Sequence, residues 1–214
     1  MNVVILAAGL GKRMHSDLPK VLHPLAGRPL LAHVVATAQG LKPGVICIVY
    51  GHGGECVREA IDAPGLIWAR QEPQLGTGHA LAQALPHLDS KVPTLVLYGD
   101  VPLIRVETLT TLYRAAGKGL ALLTLELDDA HGYGRIVRSR GKIKRIVEEN
   151  DATAAERALR EINTGIMVLP TARLKSWLAG LQNKNAQKEY YLTDVVAAAV
   201  ADKVQICSAE PGSA

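Results

Sequence analysis

Four short apolar runs, at residues 3–6, 45–50, 66–70 and 94–98, recur through the first half of the chain with helix-patterned stretches between them. Runs of this length without polar alternation belong to strands covered on both faces, and covered strands joined through helices make a parallel sheet. Residues 30–39 place Leu30, Leu31, Val34, Val35 and Ala38 on one helical face, and Gly40 and Pro43 stop that helix. Residues 55–61 and 77–85 read as two more helices, the second opened by Gly76, and residues 105–116 as a fourth before a strand at 121–127.

The rhythm then changes. Residues 134–137 and 142–147 bracket the turn Ser139-Arg140-Gly141, which predicts an antiparallel hairpin inserted into the α/β framework. A polar helix at 154–159 precedes a strand at 162–169 that returns to the main sheet. Helices at 172–181 and 191–201 and a strand at 204–207 finish the chain.

Ligands in open α/β sheets gather where parallel strands end, so the residues just past each apolar run carry the information. After the first run come Ala7, Ala8, Gly9 and Gly11, small enough for backbone N–H groups to approach a ligand, and then Lys12, Arg13 and Lys20. Three cations on one short excursion suit a polyanion such as a nucleoside triphosphate. A Gly-rich turn carrying solvated cations is the competing reading. Two better-known glycine loops are excluded. The dinucleotide fingerprint needs Gly or Ala where Met14 stands, and an acidic residue where the second strand ends in Tyr50-Gly51; the triphosphatase loop needs Ser or Thr where Arg13 follows Lys12.

The third run delivers Gln71 and then Gly76-Thr77-Gly78 at a helix start, where free N–H groups favour an anion or a carbonyl oxygen. Plain helix capping by Thr77 is the alternative. The fourth run delivers Tyr98-Gly99-Asp100, and a carboxylate beside a phosphate loop suits Mg²⁺, although a turn aspartate before Val101-Pro102 would look the same.

Composition narrows the classes. The net charge of +4 and pI near 9.0 come without a basic run or interleaved aromatics, which argues against nucleic acid and for phosphorylated metabolites. The three cysteines lack metal-ligand spacing and predict reduced thiols in a cytoplasmic protein, and no apolar run reaches membrane-spanning length. None of the seven histidines sits in a metal-ligand pattern, and His79 reads as packed. With no Phe, aliphatic side chains must fill the core.

Six stretches in order carry a resemblance over nearly the whole chain. They are Leu6-Ala-Ala-Gly-Leu-Gly-Lys-Arg-Met14 with Pro19-Lys20, Gln71 with Gln74-Leu-Gly-Thr-Gly-His-Ala80, Tyr98-Gly-Asp-Val-Pro102, Gly132-Tyr-Gly-Arg135, Glu161-Ile-Asn-Thr-Gly165 and Glu189-Tyr-Tyr-Leu-Thr-Asp194. Together they resemble the uridylyltransferase domain of the bacterial bifunctional N-acetylglucosamine-1-phosphate uridyltransferases, in the sugar-nucleotide pyrophosphorylase superfamily. The resemblance implies one nucleotidyltransferase domain over residues 1–214, with a Rossmann-like, three-layer GT-A-like fold, a mostly parallel sheet and an inserted β-hairpin.

It also implies a reaction and a site. UTP and N-acetylglucosamine 1-phosphate would be the substrates and Mg²⁺ the cofactor, held by Asp100. Ala7, Ala8, Gly9, Gln71, Gly76 and Thr77 would hold the uridine, Gln71 through its amide. Gly134, Glu148 and Asn163 would hold the amino sugar, joined by Tyr191 and Thr193. Leu6, Tyr98, Gly99 and Asp100 complete the substrate-binding set. Arg13, on the departing pyrophosphate, and Lys20, at the α-phosphate, would be the catalytic cations, and Lys12 stands where the family often has Thr or Ser. The family's second magnesium ligand, an Asn, is expected beyond Pro211-Gly-Ser-Ala214, as is its β-helix acetyltransferase domain, absent from this sequence. Family trimers form largely through that part, which leaves a homo-oligomer as an open expectation here.

Overall fold

The computed structural model describes residues 1–9, 16, 18–51 and 54–212. Its centre is β1 (Asn2–Ala7), buried along its whole length. Successive side chains of a strand point to opposite faces, so Val3, Ile5 and Ala7 enter one core while Val4 and Leu6, with Ala8, enter the other. That two-sided burial is why the sequence there is continuously apolar rather than alternating.

A two-residue ribbon, β2 (Pro24–Leu25) with β3 (Arg28–Pro29), leads into α1 (Leu30–Gly40). The ribbon was not foreseen from sequence. It turns through Ala26 and Gly27, both at positive φ, and Ala26 gives no glycine signal for such a turn. Next come β4 (Val45–Tyr50), α2 (Gly54–Ala60), β5 (Leu66–Arg70), α3 (Thr77–Ala84), β6 (Thr94–Tyr98), α4 (Val106–Ala116) and β7 (Leu120–Glu126). The inserted hairpin is β8 (Gly134–Ser139) with β9 (Lys142–Val147), turned by Arg140 and Gly141 at φ 50° and 75°. A short helix α5 (Ala154–Arg157), β10 (Glu161–Leu169), α6 (Thr171–Ala179), α7 (Val195–Ala201) and β11 (Ile206–Ala209) complete the order.

The main sheet runs β11-β7-β10-β6-β1-β4-β5. β5, β4, β1 and β6 are parallel, and β11 is parallel to β7. β10 lies antiparallel between β6 and β7, and its first residues also pair with β8, so the hairpin grows from the end of β10. Helices α1, α2 and α4 cover one face and α3, α6 and α7 the other, giving three layers. The core is mostly aliphatic; Tyr50, Tyr191 and Trp177 are its buried aromatics among the described residues, and the Trp177 Nε1 donates to Asp202 Oδ2 at 2.9 Å. Among the described residues no helix is long and apolar enough to cross a membrane.

Many boundaries shift by one or two residues, and two elements start more than one residue later than the sequence reading places them. The helix expected from residue 191 begins at Val195, after one 3₁₀ turn at Leu192–Asp194, because Leu192 N–H and the Thr193 hydroxyl are engaged elsewhere, as described below. The last strand starts at Ile206 rather than 204: Lys203 takes φ 57° and Val204 N–H closes α7 on the Ala199 carbonyl at 2.9 Å.

Candidate active site

The first group of expected site residues is carried by β1 and β6. Leu6 and Ala7 are buried and turn their side chains into the cores, so only their backbone faces a ligand path; Ala8 is buried too, and Gly9 is exposed. Gly99 N–H donates to the Leu6 carbonyl at 2.9 Å, and a Cβ at Gly99 would meet Val21, Ala7 and Leu31 at 3.1–3.2 Å. A side chain there would have to push these core side chains aside by a few tenths of an ångström, just where Asp100 leaves the sheet. Lys20 opens a 3₁₀ turn whose next residues, Val21 and Leu22, are anchored in the core. That anchorage brings Lys20 Nζ to 2.6 Å from Asp100 Oδ2. Lys12 and Arg13 lie outside the described residues.

Gln71 leaves β5 almost fully buried, its N–H donating to the Tyr50 carbonyl at 2.8 Å. Its Nε2 donates to the Gly76 carbonyl at 2.9 Å and lies 3.1 Å from His79 Nδ1. The amide expected both to donate to a base and to accept from it therefore spends its donors inside the protein. Gln74 Nε2 donates to the Ala8 carbonyl, a link between the glycine loop and α3 absent from the expected site set. Gly76 caps α3 at φ 107°, and a Cβ there would come within 2.8 Å of Glu189 Cβ and the Tyr190 carbonyl. Thr77 is not the cap: its Oγ1 accepts from Leu192 N–H at 3.0 Å, while Gly78 N–H donates to the Tyr190 carbonyl at 2.8 Å.

The third part is formed by the hairpin, β10 and the turn before α7. Arg135, 2% exposed, donates to the carbonyls of Tyr133, Leu159 (3.0 Å) and Arg157 (3.3 Å) and pairs with Glu149 at 2.8 Å. Such a buried guanidinium is tolerated because its donors are met, and it pins the hairpin to the chain on either side of α5. Its neighbour Gly134 pairs with Asn163 across β8 and β10 and lies against Glu148, whose Oε2 would be 3.3 Å from an added Cβ. Thr193 Oγ1 donates to Glu148 Oε1 at 2.7 Å. Asn163 Oδ1 accepts from Gly165 N–H at 3.1 Å, and Gly165, at φ 88°, lies against the Tyr98 ring.

Electrostatics divide the cleft. Burial pushes the Glu148 carboxyl above the usual carboxylate range; the Thr193 hydrogen bond opposes the shift, and Asp194 and Asp151 add to it. The Tyr98 phenol is pushed well up by burial, then by Glu148 and Asp100, so it remains a donor between the two carboxylates. Burial also pushes the Cys47 thiol up to about 11, as fits a thiol that acts as a small apolar core residue. Among the described residues no group of three or more His, Cys, Asp or Glu could hold a metal. Asp100 with its single carboxylate fits an ion that takes one protein ligand and completes its shell with phosphate and water, which is how Mg²⁺ binds at many phosphate sites.

Past the ends of the sheet strands the fold thus brings together a Lys–Asp pair, a buried Gln71–His79 contact and a hairpin whose Glu148 meets Thr193. The chain belongs to the family of MobA-like NTP transferase domains, whose profile matches residues 3–187. It is 61% identical over 212 residues to the bifunctional protein GlmU of Herminiimonas arsenicoxydans and 62% identical over 213 residues to that of Azoarcus sp. (strain BH72). Each match covers 99% of this chain and 47% of the relative, so the chain spans about half the length of these curated relatives. Among solved structures, a UDP-glucose pyrophosphorylase complexed with UDP-glucose superposes with TM-score 0.77 at 20% identity, covering 96% of this chain and 89% of that one. A putative glucose-1-phosphate thymidylyltransferase from Bacillus anthracis gives 0.74 at 20% identity, covering 99% and 87%. At that identity the two structures share the fold.

Proposed function

We propose that this domain transfers the uridylyl group of UTP to N-acetylglucosamine 1-phosphate, giving UDP-N-acetylglucosamine and pyrophosphate. One observation carries the reading: the six stretches that resemble the uridylyltransferase domain, scattered from Leu6 to Asp194, are joined to one another by direct contacts. Lys20 meets Asp100, Gln74 meets Ala8, Thr77 meets Leu192, Gly165 meets Tyr98 and Gly134 pairs with Asn163, while Glu148, outside these stretches, lies against both Gly134 and Thr193. Motifs with unrelated structural duties would not converge in this way.

A phosphate oxygen of the sugar phosphate attacks the α-phosphorus of UTP. The new P–O bond forms as the bond from the α-phosphorus to the bridging oxygen breaks, and pyrophosphate leaves with that electron pair. The nucleophile is already anionic at neutral pH, so the protein supplies position and charge rather than a base. Lys20 stabilises charge at the α-phosphate, Arg13 binds the leaving pyrophosphate, and the backbone of Ala7, Ala8, Gly9 and Gly76 with the Gln71 oxygen receives the nucleoside. Gly134, Glu148 and Asn163 orient the amino sugar, with Thr193 holding Glu148. Asp100 would hold Mg²⁺, which would supply positive charge to offset that of the phosphates. Small phosphorylated substrates and a cytoplasmic setting accord with a mildly basic chain.

Pyrophosphate release with UTP, Mg²⁺ and N-acetylglucosamine 1-phosphate tests the proposal. Release is expected with this pair and at least about tenfold less with glucose 1-phosphate, which lacks the acetamido group. Equal rates with both sugar phosphates would overturn the sugar assignment.

A further inference from the structure

We propose that His79 is a positioning residue for base selection: by accepting at Nδ1 it holds the Gln71 carboxamide with its oxygen as the atom offered to the base. The inference rests on the reading of Gln71 as the residue that meets the uracil ring.

The argument begins with what each atom can do. The Gly76 carbonyl only accepts, so the Gln71 atom 2.9 Å from it must be the amide nitrogen; the opposite orientation would set two acceptors against each other. The same nitrogen lies 3.1 Å from His79 Nδ1, so Nδ1 must accept and the ring proton sits on Nε2. The half-buried Gln83 carboxamide lies 3.2 Å from both Nε2 and the His79 carbonyl; that carbonyl keeps its α3 backbone partner, so Gln83 can give up its side-chain bond there and turn its oxygen to the ring proton. Burial lowers the His79 pKa, which favours the neutral ring that this pairing requires. Both protons of Gln71 Nε2 are thereby taken. Among the described residues no donor stands against Gln71 Oε1, so the carboxamide presents a fixed acceptor.

A fixed acceptor discriminates. Uracil offers an N–H at ring position three, where cytosine offers a lone pair. A carboxamide free to turn could serve either base, oxygen to the one and NH₂ to the other. A carboxamide clamped by Gly76 and His79 serves uracil and faces the cytosine lone pair with its own. Glycine at 76 and histidine at 79 thus act through Gln71, one turn of α3 holding both clamps.

Two substitutions of similar polarity separate this role from simple packing. In His79→Asn the side-chain oxygen takes the place of Nδ1 and still accepts from Gln71; in His79→Gln the polar group lies where Nε2 was, and Gln71 loses a partner. Equilibrium dissociation constants for UTP and CTP, measured calorimetrically with Mg²⁺, give the selectivity ratio. His79→Asn should keep that ratio within about threefold of the unsubstituted protein, and His79→Gln should lower it about tenfold, the scale of one lost orienting hydrogen bond. The same ratio in both variants, whether kept or lost, overturns the proposal. Gln71→Leu is the companion measurement. If it leaves the ratio undiminished, the reading of Gln71 fails and this inference with it; if it collapses the ratio while both His79 variants retain it, the inference alone fails.

Discussion

Glu148 accepts a hydrogen bond from the Thr193 hydroxyl at 2.7 Å, a contact that joins the inserted hairpin to the turn before α7 across 45 residues of chain. It commits a carboxylate to a place where burial opposes its charge.

Glu148→Gln should therefore separate stability from function. The folded-state pKa of Glu148 is raised, so its ionised form destabilises the fold above that pKa, and the penalty fades as pH falls through it towards the unfolded value. The glutamine keeps an acceptor for Thr193 and removes the buried charge. A melting temperature equal to or above that of the unsubstituted protein is expected at pH 7, with the difference shrinking in acid. Turnover with sugar phosphate should fall by about 10- to 100-fold, the scale of a hydrogen bond to a charged group. Thermal melts across pH together with steady-state kinetics would check both halves.

Lys20→Ala should show the opposite balance to a core substitution. The Lys20–Asp100 pair is part-exposed, at 42% and 27% of side-chain surface, so its loss should cost less than about 1 kcal/mol in urea unfolding. Turnover should drop by roughly 10²-fold, as when one preorganised charge contact in a transition state is removed.

Gly76→Ala should damage both properties. Its φ of 107° is unfavourable for a residue with a Cβ, and that Cβ would strike the backbone at Tyr190. A loss of about 1–3 kcal/mol is expected from the strained conformation alone. Gly141→Ala, also at positive φ but with nothing within 4 Å of the added carbon, should cost less and leave turnover intact. Parallel chemical denaturation of the two variants would decide this.

Arg135→Ala should be the most destabilising of these changes, on the order of 3 kcal/mol, because three carbonyls lose a buried donor at once. The damage should centre on the hairpin, and hydrogen exchange should show Gly134–Ser139 losing protection before β1 does.

The strands at 45–50 and 94–98 could be bounded from sequence because two-sided burial leaves an unbroken apolar run with a glycine at its end, and the half-buried edge strand at 66–70 because Gly65 and Gln71 flank it. Gln71, Asp100 and Glu148 could be placed just past β5, β6 and β9 because the strand patterns that precede them mark where those strands end. What escaped was set by contacts between distant residues. Thr77 looks like a cap until Leu192 N–H is seen on its hydroxyl, and the helix expected from 191 starts late because Leu192 and Thr193 are held by that contact and by Glu148. His79 reads as a packed histidine, and only its distance from Gln71 assigns it a partner. Arg135 and Gln74 stood inside the quoted motifs without a role, since a buried cation and a loop tether leave no periodic signal.

The most direct measurement of the proposed transfer follows the oxygen atoms. With N-acetylglucosamine 1-phosphate labelled with heavy oxygen on its non-bridging phosphate positions, attack on the α-phosphorus of UTP leaves every labelled atom in UDP-N-acetylglucosamine and none in the pyrophosphate. Mass spectrometry of the two products should show that distribution. Labelled pyrophosphate, or no nucleotide sugar at all from UTP and this sugar phosphate in the presence of Mg²⁺, would contradict the account.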